Sequence, residues 1–163
     1  MLLLLAPALA ADVVLRDLPA PEGAVRVEAA VDVAAPRAAV WAALVDFGAR
    51  KVKAIEWYRP STATEMWIRW TVSALGFEVT YHNHYQLAPD RSWLLHELDT
   101  SMPNDLSGSR GRFTLADVAG GTRLVYDVET HFGRAIPGVV RRWLSSSAVE
   151  DFMADIVRRA EGA

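Results

Sequence analysis

Ser109-Arg-Gly-Arg-Phe-Thr-Leu-Ala-Asp117, Val118-Ala-Gly120-Gly121, and Thr122-Arg-Leu-Val-Tyr-Asp-Val-Glu-Thr-His131 read as two strands joined by a Gly-Gly turn. If Asp117 opposes Thr122, then Arg112 faces Asp127 and Arg110 faces Glu129, which puts two opposite-charge pairs on one face. The other face carries Gly111, Phe113, Leu115, Leu124, Tyr126 and Val128. A slip of one residue would mix the two sets, so this register predicts an antiparallel sheet with one wet and one greasy face.

Upstream, the same pattern continues. Phe77, Val79, Tyr81, Asn83, Tyr85 and Leu87 alternate along one strand, Ala88-Pro89-Asp90-Arg91 is turn chemistry, and a strand follows from about Ser92 to Asp99. Pairing Leu87 with Ser92 places His96 opposite Asn83, and Leu94 and Leu98 opposite Tyr85 and Tyr81, all on the greasy face. His82, His84 and Glu97 fall on the wet face. Met66, Ile68, Trp70 and Val72 form a further strand that ends at a Ser73–Gly76 turn, and Val25, Val27, Ala29, Val31 and Val33 form the first. Pro36 opens a helix through Val40, Trp41, Leu44 and Val45, ending near Phe47-Gly48. Between Arg50 and Pro60 there is room for a short strand around Lys53–Trp57.

The period changes after Pro137. Val140, Trp143, Leu144, Val149, Phe152, Met153, Ile156 and Val157 make a helical stripe to near Ala160, with Arg158 and Arg159 in the last turn. The order is therefore an α+β domain, with a curved antiparallel sheet of about seven strands around a long C-terminal helix. Such a sheet can enclose a cavity against the helix, and cavities of this kind bind small ligands. The residues expected to line it are Trp70, Tyr81, Asn83, Tyr85, His96, Phe113 and Tyr126. His96 with Asn83 reads either as a hydrogen-bonded core pair or as a polar anchor for a ligand carbonyl or hydroxyl. The aromatics read either as core or as ligand platform. His82 and His84 with Glu97 lack a fourth metal ligand, and neither metal nor cofactor is expected. No serine elbow or phosphate-cradling glycine loop is present.

The chain of 163 residues has no cysteine, which excludes disulfides and thiolate chemistry, and its net charge of −3 comes with no long basic run, so nucleic acid is not an expected partner. Met1–Ala10 is apolar and ends Ala8-Leu9-Ala10, the pattern of a secretory signal that lacks the usual basic start. It is too short for a bilayer span. The expectation is an exported, periplasmic protein with a signal at 1–10, a lead-in at 11–24 and one domain at 25–163.

Val31-Asp-Val-Ala-Ala-Pro36-Arg-Ala-Ala-Val40-Trp41-Ala-Ala-Leu44-Val-Asp46-Phe47 resembles the opening signature of the START/Bet v 1-like (SRPBCC) superfamily, including its polyketide cyclase/dehydrase and coenzyme Q-binding START-domain branches. Gly111-Arg-Phe113-Thr-Leu115, Gly120-Gly121-Thr122-Arg123-Leu124-Val-Tyr126 and Ile136-Pro137 resemble its last hairpin and the start of its last helix. The resemblance implies the helix-grip fold and a hydrophobic ligand: a lipid, a quinone or a polycyclic molecule. It leaves two functions open, a non-catalytic binder of that ligand and a cyclase/dehydrase-type enzyme that uses the same cavity.

Overall fold

The computed structural model describes residues 12–50, 55–74, 76–133 and 136–162. The expected signal at 1–10, and Lys53 and Ala54 of the expected short strand, lie outside them. Among the described residues, eight strands form one antiparallel sheet: β1 (Val14–Leu18), β2 (Ala24–Val33), β3 (Ile55–Arg59), β4 (Glu65–Ala74), β5 (Phe77–Leu87), β6 (Trp93–Leu98), β7 (Leu106–Val118) and β8 (Gly121–Phe132). Their spatial order is β1-β2-β8-β7-β6-β5-β4-β3. The eighth strand comes from the lead-in, where Val14–Leu18 pairs with Arg26–Ala30 on the sheet edge.

Helix α1 (Arg37–Val45) follows Pro36, whose fixed φ suits a helix entry, and it carries the chain from β2 to β3 on the far edge. The C-terminal helix has three parts. α2 (Gly138–Arg142) leads into a π-helical turn at Trp143–Ser147, and α3 (Ala148–Glu161) completes it. α3 packs on α1 and β2. Val40, Leu44, Phe47, Ile68, Leu94, Phe113, Leu124, Met153 and Ile156 are fully buried between helices and sheet.

The last hairpin has the expected register: Asp117 opposes Thr122, Arg112 opposes Asp127 and Arg110 opposes Glu129. Gly120 sits at φ +83°, the left-handed conformation that the turn requires and that glycine adopts without strain. The preceding hairpin differs from expectation. Leu87 pairs with Leu94, so His96 stands opposite Tyr85, and Asn83 opposite Leu98. The turn is two residues longer than Ala88–Arg91, because Asp90 Oδ1 accepts from the Ser92 backbone N–H (3.1 Å) and the Ala88 N–H donates to the Trp93 carbonyl (3.0 Å). A shift of two residues keeps every side chain on its face.

His82 also departs from the wet-face expectation. It is only 5% exposed, because the loop after β6 folds over it. Its Nδ1 lies 3.0 Å from the Pro103 carbonyl, and its backbone N–H donates to Asn104 Oδ1 (2.7 Å). His84 instead stacks on Trp67 and contacts Glu65 Oε1 at 3.0 Å.

Candidate functional site

A cavity of about 550 Å³ lies between the sheet and the C-terminal helix. Its sheet wall is built by inward positions of successive strands: Val25 and Val27 of β2, Trp70 and Val72 of β4, Val79, Tyr81, Asn83 and Tyr85 of β5, His96 of β6, and Tyr126 and Val128 of β8. Alternation along each strand puts these residues on one face. The helix wall includes Trp143, Leu144, Ser145, Ala148 and Phe152. Exposed Asp151, Ala154 and Arg158 of α3 also border the space, so it reaches solvent along that helix.

Of the seven residues expected to line it, Trp70, Tyr81, Asn83, Tyr85, His96 and Tyr126 do so. Phe113 does not. Its ring is stacked on that of Tyr126, its cross-strand partner, with centroids 3.8 Å apart.

The polar groups of the wall form a chain. Asn83 Nδ2 lies 3.3 Å from His96 Nδ1, and His96 Nε2 lies 2.8 Å from the Tyr126 hydroxyl. With Nδ1 accepting from Asn83, the ring carries its proton on Nε2 and donates to Tyr126, which leaves the Tyr126 O–H free to donate. Asn83 Oδ1 is buried without a hydrogen-bond partner among the described residues. Trp70 Nε1 donates to the Tyr85 hydroxyl at 2.9 Å. His96 reaches Tyr126 because Gly111 stands opposite it: a Cβ there would lie 2.3 Å from His96 Nε2 and 2.9 Å from the Tyr126 ring.

Burial sets the protonation states. It pushes the His96 imidazole down to about 4, so the ring is neutral at pH 7. It pushes Tyr85 up to about 12, partly offset by the Asn83 and Trp70 hydrogen bonds, and raises Tyr81 and Tyr126 as well. The sheet wall therefore offers neutral donors and acceptors, which suit a carbonyl or hydroxyl.

Among the lining residues that were not expected, one is charged and buried. Arg50 is 7% exposed, with its guanidinium carbon 3.8 Å from the Phe152 ring centroid and 4.7 Å from that of Phe47. Burial, then the neighbouring Arg159, lowers it to about 10, so it is cationic at neutral pH. Hydropathy places an arginine in a polar segment outside, and no periodicity around Gly48-Ala49-Arg50 signals that this one turns in.

Among the described residues no group of three or more His, Asp or Glu is placed to hold a metal, and no helix is long and apolar enough to cross a membrane.

This architecture, a long antiparallel sheet curved round a C-terminal helix with a cavity between, is the helix-grip class. Residues 24–161 match the family model described as polyketide cyclase / dehydrase and lipid transport, and the chain belongs to that family. No curated protein matches it. Among solved structures it is similar to the Zhui aromatase/cyclase from Streptomyces sp. R1128, at 20% identity and TM-score 0.66 over 82% of this chain and 92% of that one. It is also similar to a START superfamily protein from Mycobacterium smegmatis, at 16% identity and TM-score 0.66 over 85% and 99% of the two chains. A protein from Thermus thermophilus aligns at 18% identity and TM-score 0.63 over 85% and 94%. At these identities the likeness is one of fold.

Proposed function

We propose that the protein is an exported, non-catalytic binder of a hydrophobic small molecule or lipid, quinone- or polyketide-like, held between sheet and helix. The observation that carries this reading is the cavity itself: about 550 Å³, walled mainly by apolar and aromatic side chains, with polar groups confined to a few positions. Export rests on the Met1–Ala10 segment alone. Apolar burial would supply affinity at roughly 25 cal/mol per Å². The free Tyr126 O–H and the unpartnered Asn83 Oδ1 would orient a ligand carbonyl or hydroxyl.

The second reading is a cyclase/dehydrase-type enzyme. It is favoured by one feature, the neutral buried His96 hydrogen-bonded to Tyr126, an arrangement able to take and return a proton.

The test is saturable uptake. Protein stripped of lipid should take up one equivalent of a quinone, a polycyclic phenol or a fatty acid, read by native mass spectrometry. No uptake across such a panel ends the binding reading. Repeating the panel with His96→Ala separates the two functions: turnover of a bound compound that the variant loses while still binding would establish catalysis.

A further inference from the structure

Arg50 is a buried cation whose donors are only partly used. Nη2 donates to the Ala43 and Leu44 carbonyls (3.2 and 3.0 Å), which are the open C-terminal carbonyls of α1. Nε faces Asp155 Oδ2 at 3.7 Å, beyond hydrogen-bond range. Nη1 and Nε are both buried with no hydrogen-bond partner among the described residues. The Phe152 and Phe47 rings lie against the guanidinium, their centroids 3.8 and 4.7 Å from its carbon. Arg50 is itself one of the residues that line the cavity.

The carboxylate that faces it serves other arginines as well. Asp155 is already shared by Arg158 and by Arg159 Nε (3.0 Å), and Asp46 lies 3.6 Å from Arg159 Nη1. Asp155, the carboxylate that faces Arg50, is thus divided among Arg50, Arg158 and Arg159. A buried guanidinium that shares its carboxylate and keeps two nitrogens without hydrogen bonds is costly, and a monoanion brought in by a ligand would relieve it.

We propose that the cavity's ligand carries a carboxylate, seated on the Arg50 guanidinium at the α1–α3 end of the cavity, with its apolar body along the sheet wall. This rests on the cavity reading above and narrows it to hydrophobic organic acids. A single guanidinium with few unbonded N–H groups matches a singly charged carboxylate better than a phosphate, which calls for more donors.

Pyrenebutanoate and its uncharged methyl ester share one apolar body, and their fluorescence reports binding of each. Wild-type protein should bind the acid at least tenfold more tightly than the ester. Arg50→Met, which keeps a long apolar stem over Phe152, should bind both about equally, at the wild-type affinity for the ester. Because Arg50 also braces α1, the folded wild type supplies a second readout. The Arg50 Nε–H resonance should shift on adding the acid and stay put with the ester. Equal wild-type affinities, a preference that survives Arg50→Met, or an unmoved Arg50 resonance would each overturn the carboxylate assignment while leaving the cavity reading intact. Failure of both probes to bind wild type would overturn both.

Discussion

A single buried imidazole controls the chemistry of the sheet wall. His96 is wedged into space that the missing Gly111 side chain leaves, and each ring nitrogen has one partner. Its pKa near 4 in the folded protein lies below the ordinary value near 6.5, because burial penalises the imidazolium. Between those values the unfolded chain holds a proton that the native state refuses. Stability therefore rises with pH through that window and falls as pH drops from about 6.5 to about 4. The depression corresponds to about 3 kcal/mol over the full window. Urea unfolding of wild type from pH 7 to pH 4 should show this acid loss, and His96→Gln, which cannot charge, should show a flatter profile over the same range. Parallel profiles for the two proteins would mean that His96 protonates without opening the core.

At the scale of elements, the C-terminal helix is shaped by its π-helical turn. The wider turn at Trp143–Ser147 brings Trp143, Leu144 and Ser145 to the cavity, and Ser145 Oγ donates to the Arg141 carbonyl at 2.7 Å, so the small side chain is satisfied within the helix. Ser145→Leu would put an apolar branch into space that is now open. Its midpoint of thermal unfolding should stay within a few degrees of wild type, since the hydroxyl's lost bond is worth only about 1 kcal/mol, while affinity for pyrenebutanoate falls at least tenfold. Unchanged affinity would place the binding site elsewhere. The π turn also marks where sequence reading stops. Period-two and helical patterning with cross-strand charge pairs reveals which face each strand turns inward, and so six of the seven expected lining residues. It does not count turn residues, which is why His96 falls opposite Tyr85 rather than Asn83. Nor does it show a loop folding over His82, or a polar residue such as Arg50 turned inward by contacts with distant Phe152 and Asp155. Those depend on tertiary packing, which local pattern does not encode.

Taken whole, the molecule is a sheet with a helix held off part of it. At its far end α3 is tied to α1 by Arg159, which donates to the Asp46 carbonyl at 3.2 Å and also to the Ala43 carbonyl. Glu161 accepts from the Ala34 N–H at 2.9 Å. At the near end Ile136 and Val140 are buried with Val79, Leu106 and Phe132 in a separate apolar cluster. Anchored at both ends, the helix can leave a cavity between them without collapsing onto β4 and β5. An open cavity forfeits the dispersion contacts that a filled core would make. A ligand that occupies the native cavity and has no site on the unfolded chain restores them and stabilises by mass action, about 2.7 kcal/mol at a hundredfold excess over Kd. For a domain of this size each kcal/mol raises Tm by about 2–4 °C. Scanning calorimetry of the stripped protein should therefore show a rise of about 5–10 °C with pyrenebutanoate at that excess, climbing with the logarithm of ligand concentration. Arg50→Met should lose most of the rise at the same concentration. A wild-type Tm that stays fixed while fluorescence reports saturation would mean that the probe sits on the surface, with equal affinity for folded and unfolded chains, and the cavity would then have no part in binding it.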